Sequence, residues 1–123
     1  MAATHAPATR NGIAALVLAN IDADVGAGNL VFQTTGGAAD VATLPLTDPA
    51  GVVAAEVLTF NAISSDTNAA GGTIAEASIQ ANLGAEVLHC DVGVSGSDIN
   101  LSSLVISAGD TVTVSALTYT APV

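Results

Sequence analysis

The clearest structural signal in the chain is residues 75–94, which read AEASIQANLGAEVLHCDVGV. Small or apolar side chains alternate with polar ones on both sides of a turn at residues 82–85. Because successive side chains of a strand point to opposite faces of a sheet, the pattern predicts an antiparallel hairpin with one face in water. The residues predicted to face inward are Ala75, Ala77, Ile79, Ala81, Leu88, Cys90, Val92 and Val94.

Further short runs on both sides of this hairpin are typical of strands. They cover residues 30–34, 41–46, 52–63, 99–106 and 111–120, and residues that favour turns separate them. Short strands with turns about every 8–12 residues are typical of sandwiches and barrels. The predicted fold class is all-β, an antiparallel β-sandwich or a jelly-roll-like barrel, and the pattern leaves the strand order open.

A segment of different character precedes the strands. Its apolar residues recur at helical spacing, at Ile13, Leu16, Val17 and Ile21. We expect Thr9 or Asn11 to cap this short helix, which should end near Asn20 because the aspartates that follow disfavour a helix C-terminus. The chain is thus predicted to be one compact domain, with residues 1–28 as an N-terminal arm and short helix and residues 29–123 as the β-sandwich.

The charge balance excludes several classes of partner. The formal net charge is −10, from eleven acids against one basic residue, Arg10, and charged residues make up only 10% of the 123. Nucleic acids and anionic membranes are bound through lysine and arginine, so neither is an expected partner. A surface covered by small uncharged residues instead favours burial against another protein, because few ionic groups need to lose their water.

The side chains that carry chemistry are few and scattered. His89-Cys90-Asp91 is the one reactive cluster, but on a strand Cys90 points away from its two neighbours, so the thiol and the imidazole cannot pair. The aspartates at 22, 24 and 66 lack the spacing of a helical calcium loop. We therefore expect no catalytic, cofactor-binding or metal-binding residues, no cofactor, and no enzymatic activity.

Four segments carry a resemblance to a known class of proteins: residues 3–11 (ATHAPATRN), 30–34 (LVFQT), 62–67 (AISSDT) and 117–122 (LTYTAP). They resemble small virion proteins of tailed bacteriophages, which are alanine-rich, acidic chains of about this length. The resemblance implies a structural protein of the virion, and some small β-rich proteins of this class decorate or cement the capsid. It brings no active-site residues with it.

A structural role in the virion makes the N-terminal arm a candidate contact, because such an arm can lie across a neighbouring subunit. Arg10 is the sole cation for a carboxylate on that neighbour. We expect partner contacts at Thr4, His5, Pro7 and Arg10. The expected partners are the major capsid protein and further copies of this chain in a homo-oligomer. The expected location is the capsid surface of the virion, after synthesis in the host cytoplasm.

Other roles remain open at this stage. A tail, spike or fibre component with a receptor-binding or adhesin role is the main alternative, and it predicts far fewer copies per particle. A cellular β-sandwich module that binds a ligand or calcium is a third class. The sequence does not distinguish a head location from a tail location.

Overall fold

The structure is a computed structural model that describes residues 3–122, and within them one α-helix precedes ten β-strands. The helix α1 spans Pro7–Ile21, and the strands are β1 Asn29–Gln33, β2 Asp40–Pro45, β3 Gly51–Ala54, β4 Val57–Phe60, β5 Gly72–Thr73, β6 Glu76–Gln80, β7 Glu86–Gly93, β8 Ile99–Asn100, β9 Val105–Ile106 and β10 Thr118–Thr120. The prediction of a mostly β chain with one N-terminal helix is confirmed.

Five strands form the larger sheet, in the order β2-β1-β6-β7-β8, and the first four of them pair antiparallel. The predicted hairpin of residues 75–94 is formed by β6 and β7, with Ala77 opposite Cys90 and Ile79 opposite Leu88. The hairpin prediction is therefore confirmed. The inward prediction is wrong at both ends of the hairpin: Ala75 precedes β6 and is exposed, and Val94 lies beyond β7 and is 65% exposed.

The sheet is mixed, because β8 runs parallel to β7. The expectation of a purely antiparallel fold is wrong at this pair. The contact is short and begins where Val92 lies beside Ile99. The parallel pair depends on a tight loop formed by residues 94–98. The Asn100 side chain, just after this loop, accepts a hydrogen bond from the Ser97 N–H and donates one to the Ser97 carbonyl. A polar side chain of β8 thus holds the loop that returns the chain to the sheet edge.

The second sheet has the order β10-β4-β3, and a separate pair is formed by β5 and β9. Residues 52–63, predicted as one long extended stretch, contain the β3–β4 hairpin instead. Its turn is made by Ala55 and Glu56, which both take positive φ angles, 49° and 67°. Residues other than glycine rarely adopt this left-handed backbone conformation. Alanine and glutamate are therefore not residues from which a hairpin turn is predicted.

The last predicted strand, residues 111–120, is also divided. Val112 forms an isolated bridge with Asp66, whereas Thr118–Thr120 pairs with β4 as β10. Between these two points the chain forms no strand. This break explains why Leu117 and Tyr119 fall out of phase with the apolar positions that precede them.

One hydrophobic cluster joins α1, the larger sheet and β4. Its most deeply buried large side chains include Ile21, Leu30, Phe32, Leu44, Leu58 and Ile79. On the other face of the larger sheet Ser78 is also buried, beside Val31, although the alternation predicts it in water. The Gln80 side-chain amide donates a hydrogen bond to the Ser78 hydroxyl, so the buried oxygen is satisfied.

Helix α1 begins earlier than the stripe predicts, at Pro7, and ends within a residue of the expected position. Its N-terminal cap is Ala6, which makes no side-chain capping bond, so the expected caps Thr9 and Asn11 are wrong. The buried face contains Ala14 in place of Leu16, whose side chain is 60% exposed. The helix contacts both β3 and β4. A small buried side chain such as Ala14 allows a helix to approach its neighbours closely.

Candidate interaction surface

Arg10 lies on the first half of α1 and reaches the C-terminal end of the second sheet. Its Nε and one terminal nitrogen donate to the carbonyl of Ala121, at 3.3 and 3.0 Å. The other terminal nitrogen lies 3.6 Å from a carboxylate oxygen of Glu56, and the arginine side chain is only 18% exposed. Arg10 is therefore held by contacts within the chain, and its contact with a partner stays a prediction.

Asn11 follows Arg10 and fixes the same hairpin turn. Its Oδ1 accepts a hydrogen bond from the backbone N–H of Glu56 at 2.7 Å. Glu56 has a positive φ, so the helix supplies a bond that compensates for an unfavourable backbone conformation. Arg10, an expected partner contact, and Asn11, an expected helix cap, thus both dock α1 on the turn between β3 and β4.

The other three predicted contact residues lie at the start of the described chain. Thr4 and His5 precede the helix, and Pro7 occupies its first turn. All three are exposed. The structure thus places Thr4, His5 and Pro7 on the surface, whereas Arg10 is mostly covered.

A groove of about 350 Å³ lies between the two larger sheets, at the side where β7 and β10 are found. We call it the β7–β10 groove. Its apolar lining is supplied by Phe60, Ile79, Leu88, Ile99 and Leu117. The volume lies in the range of sites that hold a small ligand or a few residues of a peptide.

One wall of the groove is the outer edge of β7. Strand β8 covers this edge only at Val92 and Gly93. The N–H of Asp91 points outward, because it donates to the carboxylate of Asp98 at 3.0 Å. Backbone groups alternate in direction along a strand, so the N–H and C=O of His89 point outward as well. Within residues 3–122 no strand pairs with them.

The opposite wall is the outer edge of β10. The carbonyl of Leu117 accepts from Phe60 and the N–H of Ala121 donates to Glu56, so these residues face β4. By the same alternation the backbone groups of Thr118 and Thr120 face away from β4. The groove therefore lies between two strand edges, and in the described part of the chain neither edge is paired at these residues.

The His89-Cys90-Asp91 cluster has the predicted arrangement. Cys90 is partly buried and packs against the core, whereas His89 and Asp91 are exposed. Burial, and then the nearby carboxylates of Asp98, Asp91 and Glu86, raise the pKa of the Cys90 thiol to about 11. The thiol is therefore protonated, and a poor nucleophile, at neutral pH.

His89 lies among acids rather than beside the thiol. Its ring nitrogens are 3.2 Å from a carboxylate oxygen of Glu86 and 3.6 Å from one of Glu76. Within residues 3–122, no group of three or more His, Cys, Asp or Glu side chains is arranged to hold a metal ion. The polar side of β7 is thus an acidic strip with one imidazole.

Several apolar side chains are exposed outside the groove. They are Leu16, Val25, Val52, Leu83, Val94 and Val105. The two most exposed, Val25 and Leu83, lie on turns that are joined by a hydrogen bond from the Leu83 N–H to the Asp24 carboxylate at 2.9 Å. We call these two residues the apolar tip.

Sequence reasoning did not find the groove or the apolar tip. The one signal for the groove is a change of phase in the sequence, since Leu117 and Tyr119 do not share the alternate positions of Val112 and Val114. The apolar tip gave no signal, because an isolated valine or leucine in a turn has no periodicity.

The 15-residue helix of the described chain is not long and apolar enough to cross a membrane. Comparisons of the chain with family models, with curated proteins and with solved structures find no match.

Proposed function

We propose that this chain is a structural protein of a bacteriophage virion that decorates or cements the capsid through repeated protein–protein contacts, with no enzymatic role. The observation that carries the proposal is its surface, where charge is scarce and Val25 and Leu83 are 98% and 84% exposed. Covering such a surface removes apolar area from water at little cost in desolvated charge. The resemblance of four segments to phage virion proteins supports the same role.

The architecture suits a subunit that packs on a shell. We propose that the five-stranded and three-stranded sheets form a sandwich around the shared core. Capsid sites repeat by symmetry, so weak individual contacts add up when copies also touch one another. The proposed partners are the major capsid protein and sister copies, with contacts at the apolar tip and at Thr4, His5 and Pro7.

Cryo-electron microscopy of the source particle tests this proposal. We expect the chain at many symmetry-related positions on the capsid surface, in hundreds of copies. A dozen copies or fewer at the tail would support a receptor-binding or adhesin role instead, and absence from purified particles would overturn both.

A double variant tests whether the apolar tip makes the contact with the capsid. Val25→Asp with Leu83→Asp should lower occupancy of the capsid, because two charges would have to be buried at the contact. The matched control is Val52→Asp with Val105→Asp, which adds the same two charges at exposed valines elsewhere. Equal occupancy of both variants would contradict the role of the apolar tip.

A further inference from the structure

The β7–β10 groove offers backbone hydrogen-bonding groups on both walls. His89 on β7 and Thr118 and Thr120 on β10 direct N–H and C=O groups to the outer sides of their strands, and all three residues line the groove. Unpaired strand edges are templates for another extended chain, and proteins usually cover or block them. An extended segment placed here would gain main-chain hydrogen bonds as in other cases of strand addition.

The floor of the groove specifies alternate side chains of that segment. Phe60, Ile79 and Leu117 provide an apolar surface below the strand edges. An added strand points every second side chain to this floor and the others to solvent. The floor therefore selects apolar residues at alternate positions.

The charges around the groove specify the other side chains. Asp98 lines the groove, and the carboxylates of Asp91 and Glu86 act on the Cys90 thiol in its wall. The single cation of the chain, Arg10, is already bound to Ala121 and lies beside Glu56. Within residues 3–122 the basic side chain beside these acids is His89, 3.2 Å from a carboxylate oxygen of Glu86. In the described chain Asp91 and Asp98 form no ion pair with Arg10 or His89, and a cationic occupant would compensate them.

A second copy of the chain fits this requirement poorly. Antiparallel pairing of two β7 edges would bring the carboxylates of Glu86 and Asp91 on one copy towards those of the other. Like charges on directly opposite or neighbouring strands destabilise a sheet. Charge complementarity thus favours a basic partner protein.

We propose that the β7–β10 groove binds an extended segment of a partner protein, in which apolar residues alternate with lysine or arginine, as an added strand on the edge of β7. The segment points its apolar side chains to the floor and its cations to the acidic rim. This proposal goes beyond the virion role, because it concerns how a partner is bound and not where the chain is located.

The test uses the full chain and three blocked, fluorescein-labelled peptides. The first is Lys-Val-Thr-Val-Lys-Val-Lys, the second replaces each lysine by glutamate, and the third is the first with an N-methyl group on every backbone amide, so that neither edge can donate a hydrogen bond. We expect saturable binding of the first peptide alone in fluorescence anisotropy. We also expect slower amide hydrogen exchange at His89, Thr118 and Thr120 when it is bound.

Each control addresses one part of the proposal. Equal binding of the N-methylated peptide would overturn strand addition, because that peptide cannot pair with an edge. Equal binding of the glutamate peptide would overturn the charge requirement. Binding of none of the peptides would overturn the proposal as a whole and leave the cryo-electron microscopy test of the virion role unaffected.

A rim variant locates the binding site. Glu86→Lys should weaken binding of the lysine peptide several-fold to about tenfold, because a cation then opposes the peptide's cations. Asp48→Lys is the matched control, since it makes the same change of charge in an exposed loop away from the groove. Equal affinities of these two variants would contradict the proposed site.

Amide hydrogen exchange of the protein without peptide tests the alternative occupant, a second copy of the chain. If exchange at His89 slows as protein concentration rises, and sedimentation shows a dimer, a second copy fills the groove and the proposal is overturned. Concentration-independent exchange supports the basic partner.

Discussion

At the scale of single residues, the polar side chain that ends α1 also binds a distant part of the chain. Asp22 caps the C-terminus of α1, and its carboxylate also accepts a hydrogen bond from the N–H of Ala50 at 3.1 Å. Burial, opposed by this bond and assisted by repulsion from Asp48, raises the pKa of Asp22 above its ordinary value near 3.8. The position needs an oxygen acceptor, but it does not favour a charge.

The substitution Asp22→Asn should therefore stabilise the protein at pH 7. Asparagine retains an oxygen for Ala50, removes the repulsion from Asp48, and removes an anion from the negative end of the helix dipole. We expect the free energy of unfolding to rise by a few tenths of a kcal/mol to about 1 kcal/mol, as for other charges at helix ends. Urea unfolding at pH 7 measures it, with Asp24→Asn as a comparison.

The pH dependence of this gain has a defined sign. Because the pKa of Asp22 is higher in the folded than in the unfolded chain, the folded state binds more protons between the two values. As pH rises through this range, deprotonation of Asp22 lowers the free energy of unfolding of the wild-type protein. The Asp22→Asn variant has no such proton to lose and keeps this stability. The difference between the two proteins should vanish below about pH 3, and a gain that persists there would contradict the explanation.

At the scale of elements, α1 is held at its N-terminal end by polar contacts and along its length by apolar ones. Arg10 and Asn11 bind the turn and the strand end of the second sheet, while Ala14 and Ile21 are fully buried in the core. Isolated helices of this length are marginal in water. The helix is therefore stabilised mainly by its docking, and its removal from the sheet should melt it.

Arg10→Met tests the polar part of this docking. The variant keeps a long side chain but loses the hydrogen bonds to Ala121, so we expect a loss of about 1–3 kcal/mol in the free energy of unfolding. Arg10→Lys should lose less, since it retains the charge but not the forked geometry. Chemical denaturation measures both, and Thr9→Ala on the exposed side of the helix serves as control. A loss for Arg10→Met no larger than for the control would refute the anchoring role.

At the scale of the whole molecule, the charge is one-sided. The net charge is −10, and Arg10 with Glu56 is the one arginine–carboxylate pair in the described residues. Mutual repulsion of the carboxylates opposes the compact state. Salt therefore screens more repulsion than attraction in this protein.

Raising NaCl from about 10 mM to about 150 mM at pH 7 should raise the melting temperature by a few degrees, because the Debye length falls from about 30 Å to about 8 Å. Scanning calorimetry measures the shift. Repeating the series near pH 4, where carboxylates take up protons, should reduce it. A melting temperature that falls with salt at pH 7 would contradict the dominance of repulsion.

Local patterns in the sequence were sufficient for the β6–β7 hairpin, for the existence of α1, and for the opposite orientations of Cys90 and His89. These features depend on the alternation of neighbouring residues, which the backbone of a strand or helix converts directly into a face. The sequence also determined the surface charge, because composition alone sets it.

Only the tertiary structure decided the parallel β7–β8 pair, the turn at Ala55 and Glu56, the burial of Ser78, and the β7–β10 groove. The β7–β8 pair depends on hydrogen bonds of a short loop that has no periodicity. The other three depend on residues far apart in the chain: Val31 lies beside Ser78, Asn11 supports the turn, and β10 forms one wall of a groove whose other wall is β7. Contacts over such separations follow from how sheets pack, and no local periodicity encodes which strand edges are left unpaired.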